Sequence, residues 1–482
     1  MQLNSYIFIF VFLPVILLTY FVANKVNVKI GKYIIVLGSA IFYIYGGWNI
    51  AIIMALSLII NWIFINLLRR FDNQKKYILI FNIVTNVVLL LYFKYLNFFI
   101  DSINGIANRD FAFVNLILPL GISFYTFQQI MYVLSVYRNE LEKIDFIDYL
   151  IYILFFPKLI MGPLAEPVDI ILQFNDKNRK KVSSNNIACG LKLFGLGMFK
   201  KMVLADTFAI AVEWGFANIN ALTSMECILL MLAYTFEIYF DFSGYTDMAL
   251  GVAKMINIDL PINFDSPYKA ISIRDFWKRW HISLTTFLTK NVYIPLGGSK
   301  KGKARTYLNT MIVFLVSGFW HGANWTFILW GFLHGLFSVG ERVFDKYLNK
   351  LIDAVKWIVT FGIINVLWLL FRADSIGQWV GLLSKMFRFQ DTSISQGFLD
   401  NFILPETTFV LRMLHITMFD GAIRGFSMLL FMFMSLFVCL VPNNNYRNKE
   451  KNSFAIMAVA AIALVWSILC LSNESVFVYF NF

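Results

Sequence analysis

Runs of about twenty nearly uncharged residues recur along this chain, and a helix of that length crosses a bilayer core about 30 Å thick. They cover residues 3–22, 50–68, 77–93, 355–371, 426–441 and 453–471, and two further apolar helices, 187–205 and 227–255, carry a few charges. Lipid offers the backbone no water, so only helices or closed barrels can span it. Barrel strands would alternate apolar and polar residues, and these runs do not. The chain is 59% hydrophobic and 15% charged, against the roughly 45–50% apolar share of an ordinary soluble domain. An all-α polytopic membrane protein is therefore expected. No repeat, linker or low-complexity tract divides it. Residues 1–482 read as one domain, with a core near 230–340, C-terminal spans over 355–471 and an aromatic tail at 475–482.

The net charge of +12 would point to nucleic acid in a soluble protein. Here most Lys and Arg lie between apolar runs, where they anchor loops on the cytoplasmic side, so no nucleic-acid partner is expected. Lys25, Lys29 and Lys32 follow the first run and place its C-terminal end inside and the N-terminus outside. That run lacks a basic leader and a small-residue cleavage site, and is expected to be a retained span. Arg69 and Arg70 mark a second inside end. Residues 111–137 read as a span kinked at Pro119. Residues 146–171 carry Pro157, Gly162, Pro163 and Pro167 and are followed by Lys177, Arg179, Lys180 and Lys181. A segment with basic flanks on the wrong side for a crossing reads as broken or re-entrant, which a membrane tolerates only where protein or a water-filled cavity surrounds the backbone. Cys189, Cys227, Cys439 and Cys470 are scattered and have no metal-ligand spacing, so they read as small apolar residues.

Three of the four histidines fall in one stretch, residues 263–335. Ser272 can cap a helix starting at Ile273. On it Arg274, Lys278 and His281 would share one face, Asp275 would pair with Arg279, and Trp277, Trp280 and Leu284 would form the apolar side. Lys300, Lys301, Lys303 and Arg305 then mark the cytoplasm, and from Tyr307 the chain re-enters the membrane. His321 follows 14 positions later, at roughly 21 Å of helical rise. Upstream, Glu237, Asp241 and Asp247, with Ser243 among them, lie at membrane depth, where carboxylates are paired or functional. Pairing with nearby Lys or Arg is the expectation.

A histidine accepts and returns a proton near neutral pH. There is no GxSxG elbow for a serine nucleophile, and no HExxH or cysteine set for zinc; no metal is expected. A deep histidine, a second one 40 residues earlier and an adjacent basic loop suit acyl transfer from an anionic thioester to a hydroxyl. One imidazole would take the hydroxyl proton, the other would hydrogen-bond the carbonyl or leaving group, and the cations would hold donor phosphates. A lone intramembrane histidine also packs helices by hydrogen bonding, so each signal alone is weak. His334, about 220° further round a continuous helix, need not share the site, and His415 reads as structural.

Three segments carry a resemblance: Arg274 to Leu284 (RDFWKRWHISL), Tyr293 to Gly298 (YIPLGG) and Gly318 to Trp325 (GFWHGANW). Together with LPLGISFY at 118–125, YFDFSGYTD at 239–247 and Phe371-Arg372-Ala373, they resemble the signature of membrane-bound O-acyltransferases. The branch they most resemble is the bacterial one that acetylates alginate and other envelope polysaccharides. The resemblance implies about 11 tilted transmembrane helices plus re-entrant or interfacial ones around a central funnel or tunnel. It makes His321 the essential base and His281 the second polar position. Arg274, Trp277, Lys278, Arg279, Trp280, Trp320 and Asn324 would line the donor site, and Glu237, Asp241, Ser243 and Asp247 would be its polar lining. No bound cofactor is implied. The donor would be acetyl-CoA, or an acyl carrier protein, on the cytoplasmic side of a bacterial cell membrane. The acetyl group would pass outward to a polysaccharide acceptor through an extracytoplasmic acetyltransferase partner of the SGNH type.

A sibling branch moves D-alanine toward teichoic acid, and a small partner there ends in an aromatic tail resembling the FVYFNF that closes this sequence. That likeness makes Tyr479 a candidate acyl relay through a phenolic ester; a hydrophobic tail docked on the bundle is the plainer reading. D-alanyl transfer for teichoic acid, a polysaccharide flippase or ion-coupled transporter using Glu237 and Asp241, and lipid acylation are the competing functions.

Overall fold

In the computed structural model, every residue is described except 142, 405–412, 414–419, 443, 448–452 and 473–482. The described residues fold into helices and connecting turns, with no strand among them. Six helices among them are long and apolar enough to cross a membrane: Phe8–Val26, Trp48–Arg70, Asp72–Ala107, Ser224–Met255, Asp353–Arg372 and Gly421–Leu440. Lipid-facing surfaces on these helices carry Leu18, Leu56, Ile358 and Phe433, all exposed. Polar residues turn inward, an inversion expected when the solvent is hydrocarbon.

Two compact units are present. The first comprises residues 1–196, 245–262 and the Phe454–Leu469 helix. Its interior is seamed with polar side chains. Asn61 donates to Asn86 and Gln129 at 3.1 and 2.9 Å and accepts from Asn82 at 2.8 Å. Lys32 is tied to Asp148 at 2.5 Å and to Asn175 at 2.6 Å. The span expected over 111–137 is shorter than its apolar run. Residues 111–119 are not helical and are largely exposed, and the helix begins at Ile122, after Gly121 at φ +72°. Pro119 lacks a donor and biases the residue before it away from helix, so it sets the start of the helix and does not kink it. The break expected over 146–171 is present: the Phe146–Leu154 helix stops at Phe155, one turn covers Phe156–Leu159, and a new helix starts at Pro167.

The second unit comprises residues 197–244 and the described part of 263–448. Most of the long Ser224–Met255 helix lies in it. Thr235 donates to Asn365 Oδ1 at 2.6 Å, and the Tyr268 hydroxyl donates to the Thr235 carbonyl at 2.7 Å. These bonds fix the Asp353–Arg372 helix and the 263–270 segment to one level of the long helix. The site is built on that frame.

Candidate functional site

A helical hairpin presents the first histidine. Lys303–His321 and Trp325–Val343 are antiparallel helices joined by three residues. They cross at Gly318 and Gly331: a Cβ on Gly318 would lie 2.4 Å from the Phe327 carbonyl oxygen, and one on Gly331 would lie 2.4 Å from that of Phe314. Only glycines permit that approach. His321 is the last residue of its helix, an end that the count from Tyr307 did not foresee. The residue is 4% exposed and its ring lies in an aromatic box, with centroids 4.9 Å from Trp320, 5.2 Å from Trp330 and 5.3 Å from Phe371. Asn324 caps the second helix: its Oδ1 accepts from Thr326 N at 3.0 Å, and its Nδ2 donates to the Asp374 carbonyl at 3.0 Å.

His281 reaches the same indole from another direction. Ser272 caps the Ile273–Arg279 helix, accepting from Asp275 N at 3.0 Å, and Arg279 pairs with Asp275 at 2.9 Å, both as expected. The expected shared face of Arg274, Lys278 and His281 does not form. The helix ends at Arg279, Trp280 is extended, and His281 sits at φ +45°, ψ +51°, preceding the Ile282–Leu288 helix. This left-handed residue redirects the chain and turns the imidazole inward, fully buried, 4.8 Å from Phe242 and 6.1 Å from Trp320. The Trp320 ring therefore lies against both histidines.

His334 is the residue that sequence reasoning left out. Continuing one helix past His321 would put it on the far side, but the break at 322–324 resets the phase. Its ring centroid lies 4.5 Å from that of Trp330, which also borders His321. Trp277 Nε1 donates to His334 Nδ1 at 3.1 Å, so that nitrogen is an acceptor and the ring's tautomer is set by Trp277. A second helix start at Asn324, followed by Thr326, was the available signal.

The other expected residues divide by role. Trp280 is fully buried, 4.7 Å from Trp368 and 4.9 Å from Phe264. Arg274 is committed to Asp345 at 3.0 Å and Glu341 at 3.4 Å. Lys278 is exposed, as are Lys300, Lys301 and Lys303. Asp241 has the partner its depth demanded: Lys201 Nζ lies 2.7 Å from it and 2.8 Å from Asp206. Glu237, Ser243 and Asp247 are buried; Asp247 belongs to the first unit. Tyr479 and His415 lie outside the described residues.

Residues 71–373 match the MBOAT, membrane-bound O-acyltransferase, family. A peptidoglycan O-acetyltransferase of Helicobacter pylori is 36% identical over 99% of this chain and 97% of its own length. A probable alginate O-acetylase, AlgI, of Pseudomonas putida is 36% identical over 82% of each chain. A teichoic acid D-alanyltransferase of Streptococcus thermophilus is 31% identical over 48% of this chain and 58% of its own.

Proposed function

This chain belongs to the membrane-bound O-acyltransferase family, and from that premise we propose that it moves acetyl groups from a thioester donor toward the hydroxyls of a cell-envelope polysaccharide. It is an acyltransferase enzyme of the membrane. The likeness to a peptidoglycan O-acetyltransferase over nearly the whole of both chains favours a cell-wall glycan as the final acceptor. The D-alanyl likeness covers half of this chain and supports that substrate less.

The observation that carries the reading is the position of His281 and His321 against the one Trp320 ring. In the proposed step His321 takes the acceptor hydroxyl's proton as its oxygen attacks the thioester carbonyl. The C–S bond breaks, and the proton passes to the departing thiolate. His281 donates a hydrogen bond to the carbonyl oxygen as charge develops on it. Lys278 and the cations of 300–305 hold the donor's phosphates. The donor is acetyl-CoA or an acetylated carrier protein, used from the cytoplasmic side of a bacterial cell membrane with the N-terminus outside. An extracytoplasmic SGNH-type acetyltransferase completes delivery. Tyr479 serves as a relay if the tail accepts acetyl as a phenolic ester.

Purified protein offered labelled acetyl-CoA, D-alanyl carrier protein and a long-chain acyl-CoA tests the donor. Acetyl transfer well above the other two is expected; preference for either competitor overturns this assignment.

A further inference from the structure

The Trp277–His334 hydrogen bond has no part in the step proposed above, yet it joins the segments that deliver both histidines used in it. Trp277 lies on the Ile273–Arg279 helix, and His281 follows two residues after that helix ends. His334 lies on the Trp325–Val343 helix, four positions after Trp330. Residues four apart share a helix face, and helical side chains lean back toward the N-terminus, so His334 rests on Trp330, with ring centroids 4.5 Å apart. Trp330 in turn lies 5.2 Å from His321 and 5.6 Å from Trp277. All of these rings are buried.

A buried indole N–H usually finds a hydrogen-bond partner, but Trp330 Nε1 has none among the described residues. The orientation of the Trp330 ring therefore rests on the rings around it, those of His321, His334, Trp277, Trp368 and Phe371. Two of these, Trp277 and His334, are fixed to each other by a directional bond of 3.1 Å. An indole N–H only donates, so His334 Nδ1 accepts and its ring carries the proton on Nε2. A half-turn of that imidazole would set a C–H against the indole donor, so the bond also selects the ring's orientation. It is not needed to attach the two helices: the Glu341 carboxylate already accepts from the backbone N–H groups of Ile273 and Arg274. An apolar pair of the same shape would fill the space with little loss of stability. What the polar pair adds is a fixed rotation of one helix against the other.

We propose that Trp277 and His334 form a positioning pair for acyl transfer. Their bond holds Trp330 against His321 and fixes the helix that presents His281. The proposal rests on the assignment of His321 as the base. Neither member of the pair is a catalytic residue: each acts through a neighbour, His334 through Trp330 and Trp277 through His334. Trp277 thereby aligns the base and does not bind the donor.

The test is single-turnover transfer from labelled acetyl-CoA by the full-length protein in detergent, recording the rate at saturating donor and the half-saturating concentration. Trp277→Phe and His334→Leu should each lower the saturating rate by about tenfold to a hundredfold, the scale of a misaligned reacting group, with half-saturation changed by less than about twofold. The double variant should be about as slow as the slower single one, because both changes break the same bond. His334→Asn, whose Oδ1 can take the place of Nδ1 as acceptor, should be faster than His334→Leu. A wild-type rate in His334→Leu, losses that multiply in the double variant, no rescue by asparagine, or a raised half-saturating concentration at an intact rate overturns the pair. Should His334→Leu fail to fold, Trp277→Phe decides on the same two quantities. His321→Ala, run alongside, separates the two readings. Transfer lost there but intact in His334→Leu counts against the pair alone, whereas wild-type transfer by His321→Ala counts against the base itself.

Discussion

His281 combines a chemical role with a backbone one, and the two can be separated. Its φ of +45° lies in the left-handed region, which histidine, asparagine and aspartate enter more readily than other side chains. The change His281→Ala removes the imidazole and also strains the turn, by roughly 1 kcal/mol. The change His281→Asn keeps the turn and removes only the ring chemistry. Both should lower acetyl transfer by about a hundredfold to a thousandfold, the usual cost of losing an oxyanion-type donor, while the unfolding midpoint falls in the alanine variant alone. Equal activity in the asparagine variant would remove His281 from the reaction. Single residues were also where the sequence was most and least legible. Ser272 and the Asp275–Arg279 pair follow from spacing within one turn. The left-handed His281 carries no glycine to announce it, and its burial depends on Phe242 and Trp320, both far along the chain.

Each unit has an element with a weak point that substitution can probe, the hairpin of the site in one and a charged turn in the other. In the 303–343 hairpin, Gly331→Ala drives a methyl to within 2.4 Å of the Phe314 carbonyl. Overpacking of this kind costs about 1–3 kcal/mol and should shift His321 against its aromatic box, so transfer falls along with stability. On the same helix a methyl added at Gly340 would meet no atom within 4 Å; Gly340→Ala should leave activity unchanged and raise stability by up to about 1 kcal/mol through the unfolded chain. A hairpin indifferent to Gly331→Ala would mean the crossing does not position the base. In the first unit, the turn after the Ser224–Met255 helix is clamped by Asp259, which takes Lys254 at 2.8 Å and Arg179 at 2.9 Å. Partial burial would raise its carboxyl pKa, but the hydrogen bonds and charges of Lys254 and Arg179 outweigh it and hold the pKa below the usual carboxylate range. The contribution is therefore present above about pH 4 and lost as pH falls further, through the lowered folded value. Thermal unfolding followed down to pH 3 should show a steeper acid decline in wild type than in Asp259→Asn; parallel curves would contradict the clamp.

For the molecule as a whole, the class of fold was readable because hydropathy is a local property: a run of apolar residues needs no knowledge of its neighbours to be recognised. The broken 146–171 segment was readable for the same reason, from its prolines. What could not be read were pairings across distance. Lys201 and Asp241 stand 40 positions apart, and nothing in either neighbourhood names the other. The exposed, non-helical 111–119 segment resembles a membrane span because its side chains are apolar, whereas Pro119 and Gly121 delay the helix. His334 joins the aromatic cluster only because three residues after His321 restart the helical phase. These pieces converge on one imidazole. The direct test is single-turnover acetyl transfer from labelled acetyl-CoA by His321→Ala, with elution profile and unfolding midpoint measured on the same sample. A folded protein whose transfer is lost is expected; transfer at the wild-type rate by that folded variant would refute His321 as the base.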